Sequence, residues 1–333
     1  MEDDRITLAH GNGGRFMREL IEEIFACNLA DAELDTQVDA APIALNGGEV
    51  MITTDGFTVQ PLEFPGGDIG SLAIHGTVND LAVAGARPLY LTLNAFIEEG
   101  LEVAVLDRIV ASLARAAREV PVKISAGDTK VLRRGEGGGL YLATTGVGVR
   151  LDGIVPSMSR IREGDAVIIS GSVGDHGTAV MLAREDFGLR GDLKSDAACV
   201  FDLARTLMQF DGLRFMRDPT RGGIASIAHE ILRATGFGLR FDAAIPVKEQ
   251  VQSVCDMLGF DPYYLASEGR VLAVIAPEQA DAAVAAWRAI PSGRDAARIG
   301  RIVADQPRII LETSLGGERF LEELEDDPLP RIC

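Results

Sequence analysis

"EVMITTDGFTV" (residues 49–59), "DIGSLAIHGTVNDLAVAG" (68–85) and "PLYLTLNAFIEE" (88–99) follow one another along the chain. The first is rich in β-branched residues and reads as a strand, the second as a helix and the third as extended chain. The alternation continues outward on both sides. Upstream, "RFMRELIEEIFACNL" (15–29) places Phe16, Leu20, Ile24 and Phe25 on one helical face. Downstream, "VAVLDRIVASLARAAREV" (103–120) is helical, and "VKISAGDTKVL" and "GLYLATTGVGV" are strands joined by the glycine-rich "RRGEGGG". This first unit ends near residue 150. The polar "RLDGIVPSMSRIREGD" (150–165) reads as a boundary, and a second series of strands and helices follows, from "AVIISG" to "PRIIL". Strands mixed with helices in both halves give an α/β (α+β) fold class with two domains, 1–150 and 151–311. Beyond Glu312 only "ERFLEEL" has pattern, read as a turn of helix, so 312–333 is expected to be a flexible tail.

The formal charge of -18 and pI near 4.7 argue against a nucleic-acid or anionic-membrane surface, which needs clustered Lys and Arg. The acidic start "MEDDRITLAH" has no secretory pattern, and no apolar run reaches the roughly 18 residues of a span, so a cytoplasmic protein is expected. Four cysteines without a CxxC pair exclude the common zinc and dithiol signatures. Cys27, Cys199 and Cys255 fall in helix-like stretches and read as buried, inert thiols. Cys333, after the acidic, proline-stiffened "EELEDDPLP", reads as the exposed thiol.

Acidic residues recur with glycine where strands should end: Asp55, Asp68, Asp80, Asp128, Asp175, Asp218 and Glu268. Taken singly, each is as well explained as a turn or a helix N-cap. Their number, with Lys130 two residues after Asp128 on one strand face, points to a magnesium and triphosphate site, because hard carboxylates suit magnesium. On a straight helix Asp68 and Asp80 lie roughly 18 Å apart, so either the helix breaks near Gly76 or the two serve different sites. His75 reads as a polar-face or satisfied core histidine. No GxxxxGK[ST] motif occurs, and "SGSVGDHG" (170–177) misses the GxGxxG spacing although it stands at a helix entrance. That helix entrance can still bind an anion through free backbone N–H groups, and the glycine-rich "HGNGG" (10–14), with Asn12 and Gly13, reads either the same way or as disorder near a terminus.

"HGNGG", "TTDGFTVQPLEFPGGDIG", "GTVNDLAVAGARP", "AGDTKV", "SGSVGDHG", "DPTRGG", "LASEG" and "PRIC" together resemble the HypE family of hydrogenase maturation factors, in the ATP-binding superfamily of aminoimidazole ribonucleotide synthetase. The resemblance implies a two-domain synthetase-like fold whose N-terminal sheets pair in a homodimer. It implies ATP and Mg2+, with Asn12, Gly13, Asp55, Asp68, Asp80, Asp128, Thr129 and Lys130 binding the nucleotide and Asp55, Asp80 and Asp128 holding the metal. It also implies that Cys333 receives a carbamoyl group from HypF, that the group is dehydrated to a thiocyanate with Lys130 and Glu268 handling oxygen and protons, and that cyanide passes to a HypC–HypD complex. The alternatives are a small-molecule kinase or synthetase of the same superfamily, which has no use for Cys333, and a non-catalytic scaffold with a thiol tail.

Overall fold

The computed structural model describes residues 4–11, 15–29, 45, 48–120, 122–153, 155–184, 192–242, 245–313 and 315–323. It divides into two compact units, one running to residue 150 and the other from 151 onward, with residues 82–85 grouped with the second.

The first unit opens with α1 (Arg15–Leu20), a π-helical turn (Ile21–Ala26) and α2 (Cys27–Leu29). Leu20, Ile24 and Phe25 are buried, but Phe16, expected on the same face, is exposed, and so is Cys27, correcting the expectation of a buried thiol. The wider π turn is the reason: Cys27 N–H bonds back to the Glu22 carbonyl, five residues away, which rotates the following residues off the apolar stripe.

β1 (Val50–Phe57) is followed by the short pair β2 (Glu63–Phe64) and β3 (Gly67–Asp68), then by α3 (Ile69–Val83), β4 (Ala86–Glu98), α4 (Val103–Glu119), β5 (Lys123–Leu132) and β6 (Leu140–Arg150). The sheet order is β1-β6-β4-β5, with β4 and β5 parallel and the other pairs antiparallel. One face is covered: Thr77 of α3 bonds Thr144 of β6, and Leu106, Ile109, Val110 and Leu113 of α4 are buried. The opposite face is open within the unit, with Ile52 71% and Val50 47% exposed and Phe96 also exposed. α3 runs unbroken through Gly76. Glycine is needed there for another reason, since a Cβ at 76 would stand 2.8 Å from the buried Phe57 ring of β1.

The second unit contains β7 (Ala166–Ile169), α5 (Asp175–Ala183), α6 (Phe201–Leu207), β8 (Leu213–Arg217), α7 (Gly223–Thr235), β9 (Gly238–Phe241) and α8 (Glu249–Leu258). β10 (Leu272–Ile275), α9 (Ala280–Arg288), β11 (Ala297–Val303), β12 (Ile309–Glu312) and β13 (Glu318–Phe320) complete it. Its seven-stranded sheet runs β13-β12-β9-β11-β7-β10-β8. Both faces are covered, and period-2 alternation divides the strands between two cores. Val167, Ile169, Leu272 and Val274 pack with α7 on one side, while Ala166, Ile168, Ala273 and Ile275 pack with α6 and α9 on the other.

Three elements differ from expectation. "LRFMR" forms the edge strand β8, which its short pattern did not announce. Cys199 lies in irregular chain just before α6, not in a helix, and is only partly buried. "ERFLEEL" does not begin a helix: Glu318–Phe320 is a strand, and Leu321 is buried in the α7-side core. The edge of β12 supplies the reason, because its open N–H and C=O groups pair antiparallel with this segment, Ile310 opposite Phe320 and Glu312 opposite Glu318. The described part of the tail, through residue 323, is therefore docked.

Replacing Gly76 by Val drives a branched side chain into Phe57, and urea unfolding should show a loss of about 1–3 kcal/mol.

Candidate active site

In the first unit the β1–α3 contact sets the acidic residues. Thr53 and Asp55 alternate onto the α3 face of β1. Thr53 Oγ1 donates to Asp80 Oδ2 at 2.9 Å, and Asp55 Oδ2 stands 3.7 Å from where a Gly76 Cβ would be. Gly76 and Asp80 are one helical turn apart, about 6 Å, so Asp55 and Asp80 stand at neighbouring levels of the β1–α3 contact. Asp55 Oδ1 also accepts the Gly56 N–H at 2.7 Å.

Asp128 is elsewhere. Asp55 pairs with Thr144, Thr144 with Leu93 and Leu93 with Gly127, so Asp128 is one residue out of that row and on the opposite face. Three strand spacings put it about 14 Å from Asp55. One cation held by Asp55 and Asp80 therefore does not reach Asp128 of the same chain. Asp128 instead pairs with Lys130 Nζ at 2.9 Å on the open sheet face, beside Asn94 and Phe96. Thr129, between them, is buried on the helix-covered side.

Asp68 closes the entrance of α3. Its Oδ1 accepts the Ser71 N–H at 2.9 Å while Ser71 Oγ accepts the Asp68 N–H at 3.1 Å, a reciprocal cap. Since α3 is unbroken, Asp68 and Asp80 serve different ends of it. Asn12, Gly13 and Cys333 lie outside the described residues. His75 is 9% exposed with no partner for Nδ1 among the described residues, and burial pushes its pKa down to about 4.

In the second unit two glycine-containing motifs, "SGSVGDHG" and "DPTRGG", converge on the loop 261–270, "DPYYLASEGR". Gly174 N–H of "SGSVGDHG" donates to Ser267 Oγ at 2.9 Å, and Gly177 N–H to the Ala266 carbonyl at 3.1 Å. Two N–H groups at this helix entrance are thus satisfied by the loop. Ser267 N–H donates in turn to the Pro219 carbonyl of "DPTRGG" at 2.9 Å. Gly223, at φ 58°, lets α7 start against the loop backbone, where a Cβ would come within 2.4 Å of the Tyr263 carbonyl.

Glu268 sits in this clamp at 3% exposure, its N–H donating to Asp196 Oδ1 at 3.2 Å. Arg270 bonds Asp196 at 3.2 Å and the Ser172 carbonyl at 3.0 Å, and lies 3.5 Å from Asp175. Asp175 is fully buried and also bonds Ser172 Oγ at 2.7 Å and Lys248 Nζ at 2.6 Å. Burial pushes the Asp196 carboxyl up, against the pull of Arg270. Asp218 is buried, and its carbonyl accepts the Thr220 N–H in the turn before α7. Burial likewise pushes Cys199 up to about 11 and Cys255 up to about 12, so both thiols stay protonated.

Thr53, Asp196 and Arg270 were not singled out from sequence. Thr53 was within reach of the period-2 rule, standing two residues before Asp55. Arg270 follows "LASEG" directly, whereas Asp196 stands in "LKSDAAC", which carries no local signal.

Asp55, Asp80 and Thr53 are an all-oxygen donor set, which fits magnesium. Among the described residues no group of three or more His, Cys, Asp and Glu converges, so any such ion would complete its shell with water or phosphate oxygens.

Residues 37–150 match the N-terminal domain model of the AIR synthase related proteins, and residues 162–312 match the C-terminal one. The carbamoyl dehydratase HypE of Azotobacter vinelandii is 45% identical over all of this chain and 98% of that protein. The chain belongs to the HypE family. A crystal structure of hydrogenase maturation protein HypE in complex with ATP superposes with a TM-score of 0.92 at 43% identity, over 98% of this chain and 99% of that one. HypE in a HypE–HypF complex superposes with a TM-score of 0.80 at 42% identity, over 92% of this chain and 99% of that one. Among the described residues no helix is long and apolar enough to cross a membrane.

His75 titrates near 6.5 when unfolded and near 4 when folded, so the unfolded chain binds the extra proton between these values. Its contribution to stability is present above pH 6.5 and is lost as pH falls to about 4. Over that range the protein should lose about 3 kcal/mol more stability than its His75→Gln variant, measured by urea unfolding at each pH.

Proposed function

We infer that this protein is an ATP-dependent carbamoyl dehydratase of [NiFe]-hydrogenase maturation, acting on its own Cys333. The observation that carries this reading is full-length similarity to HypE, including the ATP-bound form. Cys333 of "PRIC" carries the carbamoyl group as S–CO–NH2, delivered by HypF, as a HypE–HypF complex supports. An amide oxygen is a poor leaving group; ATP supplies the γ-phosphoryl that lets it depart as phosphate.

Asp55 and Asp80 would hold a magnesium ion, which would neutralise charge on the nucleotide phosphates, and Thr53 orients Asp80 by its hydrogen bond. Lys130 neutralises charge on the transferred group after exchanging its Asp128 partner. Glu268 accepts the nitrogen protons as the C≡N bond forms, held in place by the Asp196 bond to its N–H. In balance, S–CO–NH2 loses one oxygen, to phosphate, and two protons, while the S–C bond persists as the thiocyanate. Cyanide then passes to a HypC–HypD complex in the cytoplasm.

The protein works as a homodimer through the open face of the first unit's sheet. Ile52, Val50 and Phe96 leave an apolar surface there that a second copy of the same sheet covers. That pairing also brings each Asp128–Lys130 pair, on the same face, against the partner subunit.

Intact-mass measurement after incubation with HypF and then ATP should show one carbamoyl group gained and then one water lost. Cys333→Ser should show neither, and Glu268→Gln should stop at the carbamoyl stage, slowed about 10²–10⁴-fold. ATP turnover with no covalent change on the chain would overturn the reading. Ile52→Lys should convert the dimer to monomer in sedimentation velocity, and an unchanged sedimentation coefficient would exclude this face as the interface.

A further inference from the structure

His176 is fully buried, and no step of the reaction uses it. It is the second residue of α5, inside "SGSVGDHG", whose Gly174 and Gly177 N–H groups bond the loop 261–270. The imidazole carries the same grip in a second direction. Nδ1 shares a hydrogen bond of 2.8 Å with Ser195 Oγ, and Ser195 Oγ also accepts the Ala197 N–H at 3.0 Å. One buried ring thus fixes the two residues that bracket Asp196. Residues 195–199 form neither helix nor strand, so no backbone ladder holds them and side-chain bonds of this kind set their path.

Asp196 meets the loop at three consecutive residues. Its Oδ1 accepts the Glu268 N–H at 3.2 Å, and its Oδ2 pairs with Arg270 Nε at 3.2 Å. Between them the two backbones touch: a Cβ on Gly269 would collide with the Asp196 carbonyl. The Ala198 N–H faces the Glu268 carbonyl at 3.5 Å. Glu268 is therefore flanked at its N–H and at its carbonyl by a segment that His176 anchors. The Asp196 side chain is buried, and away from water each bond that fixes it is stronger. The stretch "LKSDAAC" belongs to none of the motifs, yet it backs the residue placed at the chemistry.

We propose that His176 is a positioning residue for the dehydration: through Ser195 it holds the 195–199 segment, and that segment holds Glu268 where it accepts the nitrogen protons. The proposal rests on the dehydratase reading, with Glu268 as the proton acceptor. His176 takes no proton and touches no substrate in this role. A misplacement of about 1 Å far from the chemistry can cost about 10²-fold in rate, so losing the ring's bond should show in the rate of the step. It should not show in ATP affinity, because Asp55, Asp80 and Lys130 belong to the first unit and His176 to the second.

The test is single-turnover dehydration of the carbamoylated full-length protein over a range of ATP concentrations, for wild type, Ser195→Ala, His176→Leu and the double variant. We expect each single variant to lower the limiting rate about ten-fold or more at an unchanged half-saturating ATP concentration. The double variant should be no slower than the slower single one, because both substitutions remove the same bond. Hydrogen exchange supplies a readout apart from activity. Peptides over 265–270 should exchange faster in Ser195→Ala, while β7 and β10 keep their wild-type protection. An unchanged limiting rate in Ser195→Ala, or unchanged exchange over 265–270, would overturn the proposal. Additive losses, a raised half-saturating ATP concentration, or faster exchange across the whole second unit would also overturn it, since each marks a general structural role. If His176→Leu does not fold, Ser195→Ala removes the same bond from a partly buried side chain and decides the matter by itself. Should wild type form no thiocyanate on Cys333, the dehydratase reading falls, and this proposal with it. A wild-type product with an unchanged Ser195→Ala rate sinks only the proposal.

Discussion

Backbone meeting backbone at the loop 261–270 is the constraint on which the second unit depends. Gly223 has no side chain, so α7 begins against the carbonyls of Tyr263 and Leu265. Ser267 is gripped from "SGSVGDHG" on one side and from "DPTRGG" on the other. Three motifs far apart in sequence thereby become one rigid seat. In the proposed reaction a carboxylate on such a seat loses little entropy when it accepts a proton.

Charge around that seat is managed inside the protein. The Asp175 and Asp196 side chains are both buried, a costly arrangement unless cations and donors satisfy them. Arg270, Lys248 and Ser172 offset part of this cost, Lys248 and Ser172 at Asp175 Oδ2 and Arg270 beside Asp196. Asp196 in turn accepts the Glu268 N–H, while Asp175 Oδ1 has no hydrogen-bond partner among the described residues. Arg270 therefore does more than neutralise its neighbours. Its planar, multi-donor head ties two acidic segments and the Ser172 carbonyl together, which a lysine could not do in the same geometry.

The first unit solves a different problem. Its sheet has one face buried under α3 and α4, and alternation along the strands sends acidic residues to both sides. Asp55 goes to the helix side, near Gly76, and Thr53 on that side bonds Asp80, while Asp128 and Lys130 go to the open side. One strand step decides which groups can share an ion, and that step is invisible without the pairing register. The same alternation leaves Ile52 and Val50 facing outward, so the acidic chemistry and the apolar surface are products of one pattern.

The order of strands and helices, the two-part organisation and the motif residues were legible in the sequence, because 3.6- and 2-residue periodicities are local and strong in "DIGSLAIHGTVNDLAVAG" and "VMITTDGF". Glu268 and Asp80 were singled out through their motifs, and the structure places Glu268 buried on the loop 261–270 and Asp80 against Thr53. The short edge strands "LRFMR" and "ERF" were not, because each owes its conformation to a partner edge distant in sequence. Nor was the exposure of Cys27, which a π turn rotates off its stripe. The sequence by itself determined which side chains are available and what local shape carries them. Tertiary structure alone decided that Asp55 lies on the α3-covered face and Asp128 on the open one, and that Asp196 bonds the Glu268 N–H. Proximity across a sheet depends on register and on close backbone approach, and neither leaves a periodic trace in the chain.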